Sequence, residues 1–403
     1  MRLTIERLGH LGDGIAPGPV FVPLTLPGEV IEGDVVQGRM VAPKIMTPSS
    51  DRVGPICRHF KTCGGCSLQH VSDEFVEAWK SDVVRTALSA HGLDAPIDKL
   101  FTSPIQSRRR ASLSARRTKK GATVGFHARA SDTIVEIPDC QLLHPDLLAA
   151  IPLLSDITML AASRKGEIRF AVARSLHGID LEVTGGKPLD ERLRMALPAL
   201  GEKHNTARIT WDGELVVQRE PPMQQFGEVQ MLPPPGAFLQ ATDAGQASLL
   251  GAVTRVVSGS DQIVDLFAGC GTFALPLATG VEIHAVEESA DMLAALDAGW
   301  RRATGLKKVT TETRDLFRRP LMPDELKKFD AVIIDPPRAG AEAQISEIAG
   351  SGVSLVAAVS CNPVTFARDA KILCDAGFHL DRIDMVDQFR WSPHIELVAA
   401  FTR

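Results

Sequence analysis

Residues 236–403 carry a regular alternation of short apolar segments and amphipathic segments, and this alternation limits the fold more strongly than any other feature of the sequence. The apolar segments are rich in valine, isoleucine and alanine, which is typical of strands that are buried on both faces of a parallel sheet. Strands that alternate with helices build an open α/β sheet, and ligands bind at its carboxyl edge. We therefore predict an α/β fold for this part of the chain, with functional residues where the strands end.

Cys361 lies at one of these strand ends. The apolar segment 353–359 precedes it, and a helical pattern begins near Thr365 and stops before Gly377. Pro363 restricts the loop between the strand and the helix and helps to hold the thiol in one place. A cysteine here is either a small apolar residue that closes the strand or a nucleophile, and the motifs in the rest of the chain favour the nucleophile.

Acidic residues follow the neighbouring strands. Segment 262–267 runs into the turn Ala-Gly-Cys-Gly-Thr at 268–272, and Glu287 and Asp315 follow the next two strands. A Gly-x-Gly turn lets the backbone approach a nucleotide closely, but the third glycine of the dinucleotide fingerprint is missing, which disfavours a flavin or nicotinamide enzyme. A further strand leads into Asp-Pro-Pro-Arg at 335–338. These features predict an adenosine-containing ligand, and we expect S-adenosylmethionine, with its ribose hydrogen-bonded to Glu287.

Three cysteines, Cys57, Cys63 and Cys66, lie within ten residues, with Gly-Gly between the last two. Glycines let the backbone fold round a centre so that several sulfurs converge, and Cys140 is the candidate for a fourth thiolate. Three clustered cysteines with a distant fourth are more typical of an iron–sulfur cluster than of a zinc site, and zinc remains the alternative. No βαβ unit surrounds the motif, so a thioredoxin-like redox pair is disfavoured. Two nearby histidines are alternative ligands: His59 and His70.

Residues 108–121 carry seven positive charges and no negative charge, in a chain whose net charge is −5. Leu113 and Ala115 alternate with polar neighbours, which predicts a strand, and a turn at 119–121 leads into a second strand at 123–127. Such a hairpin concentrates positive charge where a phosphate backbone could dock, although a solvated hairpin without a partner is the alternative. The predicted RNA contacts are Arg108, Arg109, Arg110, Arg116, Arg117 and Arg338.

The chain is long enough for two or three domains. Residues 1–46 form short β segments broken by glycine and proline, which predicts a small barrel of the oligonucleotide-binding type; a β-rich extension packed on the next domain is the alternative. We predict a central domain at 47–235 that contains an amphipathic helix at 73–92. The prolines at 233–235 form a rigid linker to the domain at 236–403.

No apolar run in the sequence is long enough to span a bilayer, and the N-terminus lacks the apolar core of a signal peptide. We therefore expect a cytoplasmic protein that does not contact a membrane, and its seven cysteines are not expected to form a disulfide framework. We also expect the protein to be a monomer.

Four motifs occur in the order found in the RNA uracil-C5 methyltransferase family, and the chain resembles that family over nearly its whole length. The motifs are Asp265–Thr272, Asp335–Arg338, Ser360–Pro363 and His394–Glu396. The four cysteines are similar to the [4Fe-4S] site of its ribosomal-RNA branch, and residues 1–46 resemble the TRAM domain. The resemblance implies a class I, Rossmann-like methyltransferase domain, preceded by a β-rich iron–sulfur domain and a small β-barrel, with the helix at 73–92 packed on the catalytic domain.

The resemblance also implies a reaction, the S-adenosylmethionine-dependent formation of 5-methyluridine in 23S rRNA. Transfer RNA is the alternative substrate. An iron–sulfur RNA-binding protein with an inactive methyltransferase domain is the alternative from another class, and the intact Cys361 and Glu396 argue against it. Thr272 stands where the family often has asparagine. The residues that would contact the cofactor are Gln240, Phe267, Thr272, Glu287, Asp315 and Asp335.

The chemistry explains why these groups are needed. Uracil C5 is too weak a nucleophile to attack a methyl sulfonium unaided, and addition of the Cys361 thiolate at C6 places electron density on C5. We expect the site to favour that thiolate, helped by helix dipoles or by Arg338. Glu396 is the candidate base for the C5 proton, because an acid between Ile395 and Leu397 is unusual in a core strand; an edge-strand surface carboxylate is the alternative. The target base is expected to be flipped or to come from a loop.

Overall fold

The computed structural model describes residues 1–163 and 165–403. The N-terminal part contains six short strands: β1 (Arg2–Thr4), β2 (Arg7–Leu8), β3 (Gly14–Ala16), β4 (Val20–Val22), β5 (Val30–Glu32) and β6 (Lys44–Thr47). They form two antiparallel sheets with the orders β1-β5-β6 and β2-β3-β4. Ile5, Val22 and Ile31 belong to one apolar core shared by the two sheets. Since the strands hydrogen-bond as two separate sheets, the predicted small barrel stays a prediction.

Helix α1 (Asp73–Ser89) joins the N-terminal part to the C-terminal part. It begins where the Ser72 side chain accepts the N–H of Phe75, a capping interaction that satisfies one free backbone donor. It ends three residues before the predicted end at 92. Val84 and Leu88 belong to the buried core of the C-terminal sheet, and other residues of the helix pack against β2.

The central part is built on one seven-stranded sheet, which follows the short strand β7 (Phe101–Thr102). Its strands are β8 (Arg110–Arg117), β9 (Ala122–His127), β10 (Ile134–Glu136), β11 (Glu167–Ser175), β12 (Gly178–Thr184), β13 (Thr206–Trp211) and β14 (Glu214–Gln218). The strand order is β10-β9-β8-β11-β12-β13-β14, and only the β12–β13 pair is parallel among the described strands of this sheet. The helices that pack on the sheet are α2 (Pro145–Ala149), α3 (Ile151–Ala161) and α4 (Glu191–Lys203).

The predicted basic hairpin is confirmed as β8 and β9. Arg117 pairs with Ala122, and the backbone N–H of Thr118 donates to the carbonyl of Gly121 at 2.7 Å. Leu113 is buried on the sheet face that α3 covers, as its alternation with polar neighbours predicted. One face of β8 therefore packs in the core, and its other face is polar.

A two-stranded sheet of β15 (Gln224–Phe226) and β16 (Val229–Met231) leads through the proline segment to helix α5 (Asp243–Val256). The alternating elements that follow are β17 (Gln262–Leu266), α6 (Ala274–Leu277), β18 (Glu282–Glu287), α7 (Ala290–Arg302), β19 (Val309–Thr313), α8 (Pro323–Leu326), β20 (Ala331–Ile334), α9 (Glu342–Ala349), β21 (Leu355–Ser360), α10 (Pro363–Asp375), β22 (His379–Asp387) and β23 (Glu396–Thr402). The predicted domain boundaries at 46/47 and 235/236 stay predictions.

The C-terminal sheet has the order β19-β18-β17-β20-β21-β23-β22-β7. Its first five strands are parallel, and β23 is inserted antiparallel between β21 and β22. All residues of β20 are buried, as expected for a strand covered by helices on both faces. The order reverses at β17, which lies between β18 and β20, so a crevice forms outside the carboxyl ends of these strands. The fold is a Rossmann-like α/β fold with mixed strand directions.

Within the part of the chain that the structure describes, no helix combines the length and the apolar character that crossing a bilayer requires.

Candidate active site

Cys361 lies between the end of a strand and the start of a helix. Strand β21 ends one residue before it, and α10 begins at Pro363, two residues earlier than predicted, because proline is favoured in the first turn of a helix. The Asn362 side chain caps this helix: its oxygen accepts the N–H of Val364 at 3.1 Å, and its amide donates to the carbonyl of Arg338 at 3.0 Å. The thiol is thereby held beside a helix N-terminus and the Asp-Pro-Pro-Arg loop.

A cavity of about 420 Å³ opens at the carboxyl edge of the sheet, where the strand order reverses. It joins the glycine turn to both predicted catalytic residues. The predicted site residues that line it are Gln240, Phe267, Thr272, Glu287, Asp335, Cys361 and Glu396.

Asp315 is the one predicted cofactor residue that does not line this cavity. Its carboxylate accepts the backbone N–H groups of Phe317 and Arg318, at 3.0 and 3.2 Å, and so closes the turn after β19. The cavity wall here is formed instead by Arg314, Leu316 and Phe317. We therefore place Asp315 in the turn that supports the cavity wall.

The glycine turn is shaped for close approach of a ligand. Phe267 adopts a left-handed backbone conformation with φ of 61°, an uncommon and strained state for a residue that is not glycine. Gly271 has φ of 90°, and a Cβ there would lie 2.9 Å from Leu296, so the packing admits only glycine. The N–H of Gly269 donates to a Glu287 carboxylate oxygen at 3.0 Å, which fixes this carboxylate at the cavity wall.

Burial makes two carboxyl groups of the cavity, those of Glu396 and Asp335, hard to ionise. The pKa of Glu396 is raised to about 8 by burial and by the charge of Asp335, and burial raises the pKa of Asp335 to about 7. Burial, Glu396 and Asp335 together raise the pKa of the Cys361 thiol to about 11, although Arg338 lowers it. The expectation that the site favours the thiolate is therefore wrong for the protein without a bound cation. Glu396 is 5% exposed, which excludes the alternative of a surface carboxylate.

A second cavity, of about 700 Å³, reaches Cys361 from another side. Its walls come from the β2–β3 loop, from α1 and from the loop before β23. The two cavities share Cys361 and Arg338. Three basic residues on its walls could not be predicted, because no local pattern links segments so far apart in the chain: Arg7, His10 and His91. His394, from the His394–Glu396 motif, also lines it.

Arg109 differs from the other arginines of the basic segment. It is buried, and its guanidinium donates to the carbonyl of Gln240 at 3.0 Å, to Asp243 at 2.5 Å and to Gln246 at 2.7 Å. Because these guanidinium donors are already bonded inside the protein, Arg109 has a structural role, and the predicted RNA contact by this residue is wrong. It holds the Gln240 backbone and the start of α5 against the hairpin.

Arg108 and Arg110 are partly buried and lie on aromatic rings. The Arg110 guanidinium is 4.4 Å from the centroid of Phe238, a residue of the smaller cavity, and the Arg108 guanidinium is 5.8 Å from the centroid of Phe389.

The remaining predicted RNA contacts are accessible to different degrees. Arg116 forms an ion pair with Glu167 at 2.9 Å, and Arg117 is partly exposed on the same strand. Arg338 is exposed where the two cavities meet. Of these three arginines, only Arg338 lies beside Cys361. Arg116 and Arg117 would therefore contact the backbone of an RNA substrate at a greater distance from Cys361.

Three of the four predicted metal ligands pack together in the structure. Cys63 and Cys140 are buried in one apolar core, and Cys66 packs against it. Burial raises the pKa of Cys66 to about 12, and charge on Cys140, Cys63 and Cys57 would raise it further. Across residues 1–163 and 165–403, however, no three His, Cys, Asp or Glu side chains stand close enough to hold a metal ion. The cysteines that pack together therefore do not form a complete metal site among the described residues.

Gln388 was not predicted from the sequence, although it connects two predicted site residues. Its side-chain amide donates to the Gln240 side-chain oxygen at 2.6 Å and to a Glu396 carboxylate oxygen at 3.2 Å. No motif marks an internal glutamine of this kind, because its importance depends on which residues the fold brings beside it.

Comparisons with known proteins agree with this site. A model of the tRNA (Uracil-5-)-methyltransferase family matches residues 233–403. An uncharacterized RNA methyltransferase of Brucella suis is 42% identical, covering 100% of this chain and 98% of the relative. The 23S rRNA (uracil(1939)-C(5))-methyltransferase of Shewanella piezotolerans is 30% identical, covering 100% of this chain and 95% of the relative. The structure of Pyrococcus abyssi tRNA (uracil-54, C5)-methyltransferase in complex with S-adenosyl-L-homocysteine has a TM-score of 0.79 at 23% identity, covering 100% of this chain and 99% of the other.

The strand order and the cavity at its switch point define a Rossmann-like fold, and the family model and the relatives identify a methyltransferase. The chain belongs to the RNA uracil-5-methyltransferase family, because the named RNA methyltransferases match it over its full length and the family model matches residues 233–403. It is an RNA methyltransferase, and the family predicted from the four motifs is confirmed.

Proposed function

We propose that the protein methylates C5 of a uridine in RNA, with S-adenosylmethionine as the methyl donor and Cys361 as the nucleophile. One observation supports this proposal above the others: the cavities of about 420 and 700 Å³ share Cys361 and Arg338 in their walls. A methyl donor in the smaller cavity and a base that enters through the larger cavity would therefore meet beside the same sulfur.

S-adenosylmethionine suits the chemistry of the smaller cavity. Glu287 has a carboxylate fixed by Gly269 and can accept hydrogen bonds from ribose hydroxyls. Phe267 and Phe317 have ring centroids 5.4 Å apart at the cavity wall and offer apolar surface for an adenine ring. Asp335 would face the positive sulfur. Bound there, the cofactor supplies a methyl group on a positively charged sulfur.

Cys361 begins the proposed reaction on the uracil ring. Its thiolate forms a bond to C6, and the displaced π electrons pass to C5 and the neighbouring carbonyl. C5 then takes the methyl group, and the donor sulfur keeps the electron pair of the broken bond and becomes a neutral thioether. The thiol proton must leave first, which the N-terminus of α10 and Arg338 favour.

Glu396 completes the proposed reaction. Its carboxylate takes the proton from C5, the C–H electrons re-form the C5–C6 double bond, and Cys361 leaves as a thiolate. Methylation therefore adds one methyl group, removes one proton and regenerates the enzyme. Both Glu396 and Cys361 line the smaller cavity, so the base and the nucleophile can act on one ring.

The larger cavity would receive the target nucleotide and its neighbours. Arg7, His10 and Arg338 line it and can contact phosphates or base edges, and Trp79 offers an aromatic surface. A base that is stacked in a helix cannot reach Cys361, so the target uridine must be flipped or unpaired. The basic hairpin β8–β9 would hold the flanking backbone.

We propose 23S rRNA as the substrate, because the Shewanella relative that the whole chain matches carries that activity in its name. Transfer RNA is the second candidate, because the Pyrococcus protein with the similar fold is named for a tRNA uridine. The same assay, with both RNA classes as substrates, distinguishes them.

We further propose a [4Fe-4S] cluster on Cys57, Cys63, Cys66 and Cys140. Cys63, Cys66 and Cys140 pack in or against one apolar core, and the N–H of Gly65 donates to the Cys63 sulfur at 3.4 Å, as expected for a thiolate ligand. Iron analysis of anaerobically purified protein, with a visible absorption band that Cys140→Ser removes, would support the cluster. Stoichiometric zinc with no visible band would contradict it.

The proposed function is tested with labelled S-adenosylmethionine and transcripts of 23S rRNA and tRNA. We expect label in 5-methyluridine of one RNA class, shown by nucleoside mass spectrometry. Cys361→Ala should abolish transfer, whereas Cys374→Ala, which removes a thiol from outside both cavities, should retain it. Equal transfer by the Cys361→Ala protein, or label at another position of the nucleoside, would contradict the proposal.

A further inference from the structure

We propose that Gln388 is a positioning residue that fixes Gln240 and Glu396 in one hydrogen-bonded unit, with the Glu396 carboxylate held as an acceptor and the Gln240 amide as a donor. This inference rests on the proposed function, in which Gln240 contacts the cofactor and Glu396 is the base. It goes further by naming Gln388 as the residue that links these two side chains.

The geometry around Gln388 is that of a fixed element of the site. The side chain is 1% exposed, and its amide makes three hydrogen bonds. The backbone N–H of Ala241 donates to its oxygen at 2.6 Å, and its nitrogen donates to the oxygen of Gln240 at 2.6 Å and to Glu396 at 3.2 Å. A side chain tied at both ends of its amide cannot rotate without breaking one of these bonds.

The orientation of both amides follows from one backbone group. The N–H of Ala241 can only donate, so the Gln388 atom beside it must be the oxygen. The Gln388 nitrogen therefore faces Gln240, and since it is a donor, the Gln240 atom that it meets must be the acceptor oxygen. The Gln240 nitrogen is left as a donor in the wall of the smaller cavity. It is suited to an oxygen of the cofactor carboxylate or of the uracil ring.

The absence of a side chain at Gly245 leaves the space that Gln388 occupies. A Cβ at Gly245, in the first turn of α5, would lie 2.6 Å from the Cβ of Gln388. Real side chains do not tolerate this distance, so glycine at 245 makes room for the glutamine. Gly245→Ala would therefore displace Gln388 without altering its chemistry.

The hydrogen bond from Gln388 affects how readily Glu396 ionises. Burial and Asp335 raise the pKa of this carboxyl, whereas the hydrogen bond from Gln388 and the charges of Arg110 and Arg338 lower it. Without the amide donor, Glu396 would hold its proton to higher pH. The base would then be less available for the C5 proton at neutral pH.

The test compares Gln388→Met and Gln388→Glu with the wild-type protein. The midpoint of the rising limb of kcat against pH should move up by about one pH unit in Gln388→Met, the value expected for loss of one hydrogen bond to a charged group. Gln388→Glu keeps the acceptor for Ala241 and should fold where the methionine variant does not. It should show at least the same shift, because it adds an acidic group beside Glu396. Gly245→Ala should shift the midpoint in the same direction.

Gln344→Met provides the matched control, because Gln344 is a buried glutamine bonded to the backbone of Leu321 and lies outside both cavities. Its midpoint should equal that of the wild type. Unchanged midpoints in both Gln388 variants, with thermal unfolding showing folded protein, would overturn the inference.

A second measurement does not depend on activity. The coupling between Gln388→Met and Glu396→Gln in unfolding free energy should be large at pH 9, where Glu396 is ionised, and small at pH 5, where it is protonated. Coupling at pH 9 in a wild-type protein that transfers no methyl group would support the positioning of Glu396 and overturn the proposed function. No coupling at either pH would overturn the positioning itself.

Discussion

Cys361, Asp335 and Glu396 lie in the wall of one cavity; Asp335 makes Glu396 harder to ionise, and both carboxylates make Cys361 harder to ionise. The pKa of Cys361 is raised to about 11, that of Glu396 to about 8 and that of Asp335 to about 7. A positive charge in the cavity favours the anionic form of all three groups. The cationic cofactor would therefore do more than donate a methyl group: its binding would promote ionisation of the nucleophile and the base.

The reactivity of Cys361 should consequently depend on the charge of the bound ligand. We expect iodoacetamide to alkylate Cys361 faster with S-adenosylmethionine than with the neutral S-adenosylhomocysteine, by about tenfold for each pH unit by which the thiol pKa is lowered. Peptide mass spectrometry at pH 7.5 measures both this rate and that of Cys374, which lies outside the cavity and serves as the internal control. Equal rates at Cys361 with the two ligands would contradict the coupling.

Glu396 should make stability depend on pH. Its pKa in the folded protein, about 8, is above the ordinary value of 4.5. The protonated carboxyl therefore contributes stability that is complete below pH 4.5 and is lost as the pH rises toward 8. Since glutamine has no proton to lose, Glu396→Gln should be more stable than wild type at pH 8.5 by about 2–4 kcal/mol and nearly equal at pH 5.

Urea unfolding at both pH values measures this difference, with the exposed Glu74→Gln as the control. A Glu396→Gln protein without extra stability at pH 8.5 would show that the carboxyl ionises there without a penalty.

At the scale of elements, the loop at 388–395 between β22 and β23 connects Glu396 to distant parts of the chain. The Trp391 carbonyl accepts the N–H groups of Ser67 and Leu68 at 2.7 and 3.0 Å, directly after the cysteine segment. The Lys80 ammonium on α1 donates to the His394 carbonyl at 2.8 Å. The loop that ends at Glu396 is thus held by two elements that precede the catalytic sheet.

The ion pair between Lys80 and Asp387 anchors this loop. The two groups are 2.5 Å apart and each is 1% exposed. Lys80→Met would leave a buried carboxylate without its partner, so we expect a loss of about 3–5 kcal/mol in unfolding free energy and a lower kcat. The double variant Lys80→Met/Asp387→Leu should recover most of the stability, since no charge remains buried. Wild-type stability in the single variant would contradict an anchoring role.

Most helices and strands could be predicted from the sequence, but the contacts of individual side chains with distant residues could not. Strands such as β20 are apolar because both faces are covered, and that pattern is local. The burial of Arg109 depends on Asp243 and Gln246, more than a hundred residues away, so the hairpin was predicted but the fate of this arginine was not. The hydrogen bonds that Asp315 accepts could not be predicted for the same reason, because only the folded turn shows which backbone groups its carboxylate meets; its predicted cofactor contact stays a prediction.

At the scale of the molecule, three regions of the chain meet at one thiol. Strand β2, the loop that follows it and α1 form walls of the larger cavity, and the C-terminal sheet provides Cys361 and the smaller cavity. The motifs in the sequence predicted the cofactor side of this arrangement, because its residues follow consecutive strands. The opposite side is built from residues that are distant in sequence, and only the fold brings them together.

The basic hairpin should contribute to RNA affinity and not to chemistry. We expect Lys119→Ala/Lys120→Ala at its exposed tip to raise KM for RNA, to leave kcat unchanged and to reduce the slope of log Kd against log salt by about 1.4–1.8, since two phosphate contacts are lost. Filter binding at several salt concentrations measures the slope. Lys307→Ala/Lys308→Ala removes two exposed charges before β19, at the amino edge of the sheet, and should change neither quantity. Equal slopes in the two variants would contradict a role for the hairpin.

The central claim is that the Cys361 sulfur bonds to C6 of the uracil ring and that Glu396 removes the C5 proton after methyl transfer. Mass spectrometry of the Glu396→Gln protein, incubated with RNA and S-adenosylmethionine and then digested, tests this claim most directly. The account predicts a stable adduct that joins the peptide containing Cys361 to a nucleotide bearing the new methyl group, because the C5 proton can no longer be removed. Free turnover by this variant with no adduct, or an adduct on another residue, would contradict it.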